Sequence, residues 1–160
     1  MRVTKVKKAR RSPGNCSRCG KVIAVGDPYL WFKFRRGPKR IHCVMHYPKA
    51  SELTASDKLA RLYAAQEELE EATGRDAILE ALDAAITTAE EVGQEYEDSL
   101  GNMPDSLQNG TTGQEIQEKI AACEAWRSEL ESCKDTFESE GGLTDALQAE
   151  AQRAAGALEI

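Results

Sequence analysis

The sequence predicts a two-part, α-dominated fold, in which a small β-hairpin module is followed by an all-α antiparallel helical hairpin. Three observations support this prediction. Two closely spaced Cys/His pairs lie in the first fifty residues. Those residues carry 14 Lys and Arg but one acid, a net charge of +13, whereas residues 51–160 carry −19. Beyond residue 50, apolar residues recur at three- and four-residue spacing. We therefore expect a basic flexible arm over 1–14, a module over 15–50 and an acidic helical region over 51–160.

The two Cys/His pairs predict a structural zinc site. They occur as Cys16-Ser17-Arg18-Cys19 and, further along the chain, as Cys43-Val44-Met45-His46. Tetrahedral zinc binds thiolate and imidazole, and a two-residue spacer lets one tight turn offer both ligands to the same ion. We expect Cys16, Cys19, Cys43 and His46 to hold structural Zn2+.

Two alternatives to this ligand set are open. One uses His42, although an extended backbone over residues 41–43 would point His42 and Cys43 to opposite faces. In that case His42 would pack in the hairpin or bond to backbone. The other alternative is a set of reduced thiols without metal.

Composition argues against several other classes of protein. Five cysteines are an odd number, and the N-terminus lacks an apolar signal segment, so we expect a cytoplasmic protein without a disulfide framework. No run approaches the roughly 18 apolar residues of a membrane span. Four protein ligands would leave zinc no open position for water, and no phosphate-binding glycine loop is present. We therefore expect no enzymatic activity and no membrane partner.

The order of elements predicted for the module is a knuckle, a hairpin and a second ligand pair at the start of a helix. Gly20 can supply the positive φ of a knuckle, and residues 29–36 are predicted to form an aromatic-rich strand. This order resembles a treble-clef zinc finger over residues 15–60, on the basis of Cys16, Cys19, Gly20, Gly26, Cys43 and His46.

The resemblance extends partly to the zinc fingers of poly(ADP-ribose) polymerases. Those fingers use HxxC as the second ligand pair, whereas this chain has CxxH, so recognition of DNA nicks does not carry over. The whole chain is similar to uncharacterised small zinc-binding proteins encoded by bacteriophages, which would imply the cytoplasm of a host cell and no particular activity.

Basic and aromatic residues in the first fifty positions predict a surface that binds nucleic acid. Basic side chains neutralise phosphates, and aromatic rings stack on bases. On a strand, Tyr29, Trp31, Lys33 and Arg35 share one face, while Leu30, Phe32 and Phe34 on the other would supply the core. An alternative is that the aromatic rings, Trp31 included, are mostly core. The candidate contact residues are Arg10, Arg11, Arg18, Tyr29, Trp31, Lys33, Arg35, Lys39 and Arg40.

The acidic region is predicted to be helical throughout. The expected helices cover about 54–72, 76–98, 114–139 and 143–158, with a breaker-rich connector over 101–113. The second and third helices should pack as an antiparallel pair. The first helix is expected to attach this pair to the zinc module. Cys123 and Cys133 lie on the apolar face of the third and are expected in the core.

Two functions fit these features. The first is a non-enzymatic zinc-finger protein that binds DNA or RNA through its basic module and uses the helices for self-association or for docking a protein partner. The second is a protein-interaction adaptor, such as a phage factor acting on a host protein, in which zinc is purely structural. The exposed acidic residues are either a solvated surface or a protein-binding, DNA-mimicking face.

Overall fold

The computed structural model describes residues 2–35, 37–140, 142 and 145–160. The chain divides into two compact units, Met1–Ser56 and Asp57–Ile160. Each has its own hydrophobic core.

In its described residues, the N-terminal unit has five short strands and one short helix. Their bounds are β1 Thr4–Val6, β2 Gly14–Asn15, β3 Val22–Ile23, β4 Tyr29–Phe32, β5 Arg40–Cys43 and α1 Ala50–Leu53. Strands β1, β4 and β5 form an antiparallel sheet in that order, and β2 pairs with β3 in a separate hairpin. The strand predicted over 29–36 ends at Phe32, and position 36 lies outside the described residues.

The segment predicted as a flexible arm contributes backbone to the sheet in its central part. Thr4–Val6 form the edge strand β1, paired antiparallel to β4. Ala9 is buried, and its backbone exchanges hydrogen bonds with the turn at residues 26–27. The backbone groups of this basic stretch are satisfied by pairing with a distant strand, which a local pattern does not indicate.

The sheet has two distinct faces, set by the alternation of its side chains. Tyr29 pairs with Cys43 and Trp31 with Ile41, so these four residues share one face. Leu30, Phe32 and His42 lie on the other face and are fully or almost fully buried. The predicted division of strand β4 into a core face and an aromatic, partly exposed face is confirmed.

The C-terminal unit is helical, as predicted. Its helices are α2 Asp57–Glu71, α3 Arg75–Gly101, α4 Asp105–Gln108, α5 Thr111–Ser139 and α6 Asp145–Gly156. Positions 143 and 144, the predicted start of the last helix, lie outside the described residues. In the described part of the chain, no helix combines the length and apolar character needed to cross a membrane.

Helices α3 and α5 form the predicted antiparallel pair. The ammonium of Lys134 bonds to Asp83 Oδ1 at 2.6 Å, and a Cβ on Gly93 would lie 3.5 Å from Cys123 Cβ. Residue numbers therefore increase along α3 where they decrease along α5, so the two helices run antiparallel. Helix α2 packs on α3 and α6, and α6 also packs on α5. Within the C-terminal unit, the predicted hairpin of α3 and α5 therefore shares one hydrophobic core with α2 and α6.

The connector between α3 and α5 is more ordered than its breaker-rich composition predicts. It contains the one-turn helix α4, and α5 begins three residues earlier than expected, at Thr111. This is possible because Gly113 is buried against the end of α4, where a Cβ would lie only 1.9 Å from the carbonyl oxygen of Gln108.

Candidate metal centre

The first ligand pair is held by a tight knuckle that follows strand β2. The backbone N–H of Cys16 donates to the carbonyl of Lys21 at 2.8 Å, and the N–H of Gly20 donates to the carbonyl of Cys16 at 2.9 Å. Gly20 has a φ of +70°, a left-handed conformation that side chains with a Cβ rarely adopt. The glycine therefore lets the chain reverse directly after Cys19, as the sequence predicted.

The second ligand pair lies where strand β5 ends. Cys43 is its last residue, and the N–H of His46 donates to the carbonyl of Cys43 at 3.0 Å, closing a turn. The helix that was expected to start at this ligand pair begins four residues after His46, at Ala50. We call residues 43–47 the ligand loop.

Two hydrogen bonds tie the knuckle to strand β5. The N–H of Ser17 donates to the carbonyl of Ile41 at 2.7 Å, and the N–H of Ile41 donates to Ser17 Oγ at 3.3 Å. These contacts bring together two chain segments that are distant in sequence. The ligand pairs meet because the knuckle is bonded directly to the strand that leads into the ligand loop.

The four predicted ligand side chains converge. One donor atom from each of Cys16, Cys19, Cys43 and His46 lies within 4.8 Å of all the others. Cys19 Sγ is 4.0 Å from Cys43 Sγ, and His46 Nδ1 is 3.2 Å from Cys43 Sγ and 3.9 Å from Cys16 Sγ. A zinc tetrahedron with ordinary bond lengths places its ligand atoms roughly 3.5–3.8 Å apart. The cluster therefore has the size and the donor chemistry of a Cys3His metal centre.

Hydrogen bonding prepares Cys16 to act as a thiolate. Burial raises the pKa of its thiol, but backbone N–H groups of Cys19, Cys43 and Arg18 outweigh burial and lower the pKa to about 5. At Cys19, the backbone N–H of Lys21 lowers the pKa, yet partial desolvation and the sulfurs of Cys16 and Cys43 raise it above its ordinary value. Neighbouring thiolates repel one another, so the three thiols resist losing all of their protons at once. A bound cation would offset this repulsion between the negative charges.

His42 lies away from the donor cluster. Its ring is fully buried, stacks on Phe32 with centroids 5.7 Å apart and has Nε2 3.5 Å from Glu52 Oε1. Cys43 faces the other side of the sheet, as the strand register requires. Among the residues that the structure describes, the four-residue set is the only group of three or more Cys, His, Asp or Glu placed to share a metal ion. The geometry therefore favours His46 over His42 as the fourth donor.

The other two cysteines belong to the helical core. Cys123 and Cys133 are buried on helix α5 and form no disulfide. Their predicted role as small apolar residues is confirmed by their place in the core of the C-terminal unit.

The structure brings together part of the predicted nucleic-acid surface. Tyr29 and Trp31 are half-buried on the sheet face that also carries Cys43. The Lys39 ammonium lies 4.2 Å from the centroid of the Trp31 ring and 5.5 Å from that of Tyr29. Lys39 thus caps two aromatic rings, and the three residues form one cluster, which we call the aromatic–lysine cluster.

The remaining predicted contact residues are more scattered. Arg40 lies opposite Phe32 in the sheet, so it shares the other face with Lys5. Lys33 and Arg35 are exposed but follow the end of β4, Arg18 is exposed in the knuckle, and Arg10 and Arg11 are exposed between β1 and β2. Of the predicted contact residues within the strands, Arg40 therefore does not share the sheet face of Tyr29 and Trp31.

Sequence reasoning missed three exposed apolar side chains in the ligand loop. Met45 is 82 % exposed, Tyr47 63 % and Val44 40 %. The signal was present, because two of these residues are the spacer of the CxxH pair. The spacer pattern itself predicts only the presentation of two ligands.

Comparison of the chain with protein-family models, with curated proteins and with solved structures gave no match. The four donor side chains, their geometry and their surroundings support a metal centre.

Proposed function

We propose that the chain is a non-enzymatic zinc protein whose N-terminal unit binds nucleic acid. The observation that carries this proposal is the aromatic–lysine cluster, which lies on the same sheet face as Cys43 in a segment of net charge +13. Cationic groups neutralise phosphates and release counterions, while aromatic rings contact bases. This combination suits a nucleic acid better than a purely acidic or purely apolar partner.

Zinc has a structural role in this proposal. Three thiolates and one imidazole complete a tetrahedral coordination shell, so the ion would have no open position at which to activate water. The N-terminal unit has a small core, in which Cys16, Ile23 and Cys43 are joined by the partly buried Tyr29 and Ile41. Because two metal ligands belong to that core and Tyr29 packs on it, the binding face depends on the metal.

Fluorescence anisotropy with labelled oligonucleotides tests the proposal on the full-length, zinc-loaded protein. We expect binding whose affinity falls steeply as salt rises, since several phosphates would be neutralised. Lys39→Ala should weaken binding roughly fivefold or more, because it removes both a phosphate contact and the cation that caps Trp31.

Lys5→Ala is the matched control. It removes the same charge from an exposed lysine on the opposite sheet face. A general attraction to phosphates would make the two variants equal, whereas a defined contact face makes the Lys39 variant weaker. Absence of binding to both DNA and RNA at low salt would overturn the proposed function.

For the helical unit we propose self-association or docking of a protein partner. Exposed acidic side chains on α2 and α3 support this, including Glu68, Glu90 and Glu97. Part of the acidic surface is neutralised within the unit, where Arg61 pairs with Glu91 at 2.6 Å and with Glu95 at 2.5 Å. Sedimentation equilibrium should detect an oligomer, and a monomer at all concentrations would leave only docking.

The alternative function is a protein-interaction adaptor with purely structural zinc. The exposed apolar residues of the ligand loop favour it, since such side chains are common in protein interfaces. Under this alternative, a protein partner is captured from host extract and stays bound after nuclease treatment. Loss of the captured partner on nuclease treatment would instead favour nucleic acid as the bridge.

A further inference from the structure

The ligand loop carries apolar surface that the metal site does not use. Val44 and Met45 lie between the ligands Cys43 and His46, and Tyr47 follows directly. Met45 and Tyr47 are 82 % and 63 % exposed although they lie within or directly after the turn that His46 closes on Cys43. A metal held by both neighbouring ligands would keep these side chains on a rigid support, at little entropic cost on binding.

This apolar surface lies in a strongly basic unit. The same sheet face leads from Trp31 and Tyr29 to Cys43, where the ligand loop begins. Lys39 caps the two rings at the start of this path. Lys39 precedes strand β5 at one end, and the exposed apolar residues of the ligand loop follow the strand at its other end.

A duplex is poorly matched to this surface. Duplex DNA is commonly read by a helix in the major groove. Within the described part of the N-terminal unit, the one helix is α1, which has four residues, includes Glu52 and contains no Lys or Arg. A duplex also keeps its bases stacked inside, away from residues such as Met45 and Tyr47.

We infer that the N-terminal unit binds single-stranded nucleic acid, with unstacked bases against Tyr47 and Met45 and phosphates near Lys39. This inference rests on the proposed function and specifies its substrate class. Base–aromatic stacking beside a cationic path is the usual means of binding single strands without reading their sequence. The apolar loop and the aromatic–lysine cluster would then act as two parts of one surface.

Anisotropy titrations of the zinc-loaded, full-length protein provide the test. The probes are a labelled single strand, the same strand annealed to its complement, and the RNA equivalent of the single strand. We expect the single strands to bind at least roughly tenfold more tightly than the duplex. Tyr47→Ala should weaken single-strand binding by roughly tenfold, and Tyr47→Phe should retain it, because the ring supplies the stacking.

Val25→Ala is the matched control, since Val25 is also apolar and 67 % exposed but lies outside the ligand loop. Zinc content of each variant, measured after dialysis, shows that the loop is intact. Duplex binding equal to single-strand binding, or unchanged single-strand affinity in Tyr47→Ala and Met45→Ala, would overturn the inference while leaving nucleic-acid binding in place. In the second case the loop would be assigned to a protein partner. Absence of binding to every probe would instead overturn the proposed function itself.

Discussion

At the residue scale, the two histidines have separable roles. We predict that His46→Ala lowers zinc affinity by more than roughly a hundredfold, since losing a group that only hydrogen-bonds to a metal ligand can already cost roughly ten- to a hundredfold. His46→Cys should retain the metal, because four thiolates are also a common zinc set. Competition with a chromophoric chelator measures both affinities.

His42→Phe is the control for the ligand assignment. Phenylalanine keeps a ring next to Phe32 but has no nitrogen to bind a metal. Zinc affinity should therefore stay close to that of the unchanged protein, while stability falls modestly because the ring is slightly larger than the imidazole. Equal loss of zinc in the His42 and His46 variants would contradict the Cys3His assignment.

Gly113 and Gly101 form a second residue-scale comparison. A Cβ on Gly113 would lie 1.9 Å from Gln108 O, whereas a Cβ on Gly101 would have no atom within 4 Å. We predict that Gly113→Ala destabilises the helical unit by about 2 kcal/mol or more, since backbone must move. Gly101→Ala should be neutral or stabilise by up to about 1 kcal/mol, because alanine favours a helix. Urea unfolding of both variants measures the difference.

At the element scale, a buried thiol on helix α5 should make the free energy of unfolding decrease at alkaline pH. Burial raises the pKa of the Cys133 thiol to about 11, from an ordinary value of 9.0, and nearby Glu150 and Glu129 add to the effect. The folded state therefore keeps the proton more strongly than the unfolded chain. This contribution, about 3 kcal/mol, is fully present below pH 9 and is lost as pH rises towards 11.

Cys133→Ser provides the comparison, because a hydroxyl of similar size does not titrate in this range. Free energies of unfolding for the two proteins should fall differently between pH 9 and 11, with the steeper loss in the cysteine protein. Tyrosine and lysine titrations affect both proteins alike. Parallel curves would show that the Cys133 thiol does not control this dependence.

The sequence patterns predicted those elements that are determined by residues close together in the chain. The four candidate metal donors could be predicted because CxxC and CxxH are complete within four residues. Helices α3 and α5 could be predicted because their apolar residues repeat over many turns. Strand β1 could not, because its three residues become a strand only by pairing with β4. Tertiary contact likewise decides the early start of α5, where Gly113 packs under α4. The exposure of Met45 and Tyr47 could not be predicted either, because it depends on the conformation of the ligand loop.

At the scale of the whole molecule, the two units should respond differently to loss of metal. The core of the N-terminal unit includes two predicted ligands, Cys16 and Cys43, whereas the core of the C-terminal unit is made of α2, α3, α5 and α6. We predict that chelation unfolds the first unit and leaves the helices intact. Far-UV circular dichroism should then keep most of its helical signal, because the described long helices all lie in the second unit.

The two tryptophans allow each unit to be followed separately. Trp31 lies in the N-terminal sheet, and Trp126 is buried in the helical core with its indole N–H bonded to Ala154 O at 3.0 Å. In a Trp126→Phe variant, chelation should shift the emission of Trp31 to longer wavelength, and added zinc should reverse the shift. In a Trp31→Phe variant, the emission of Trp126 should stay constant over the same titration. A shift of Trp126 emission on chelation would mean that the helical unit depends on the metal centre, and an unchanged Trp31 would mean that the N-terminal unit folds without metal.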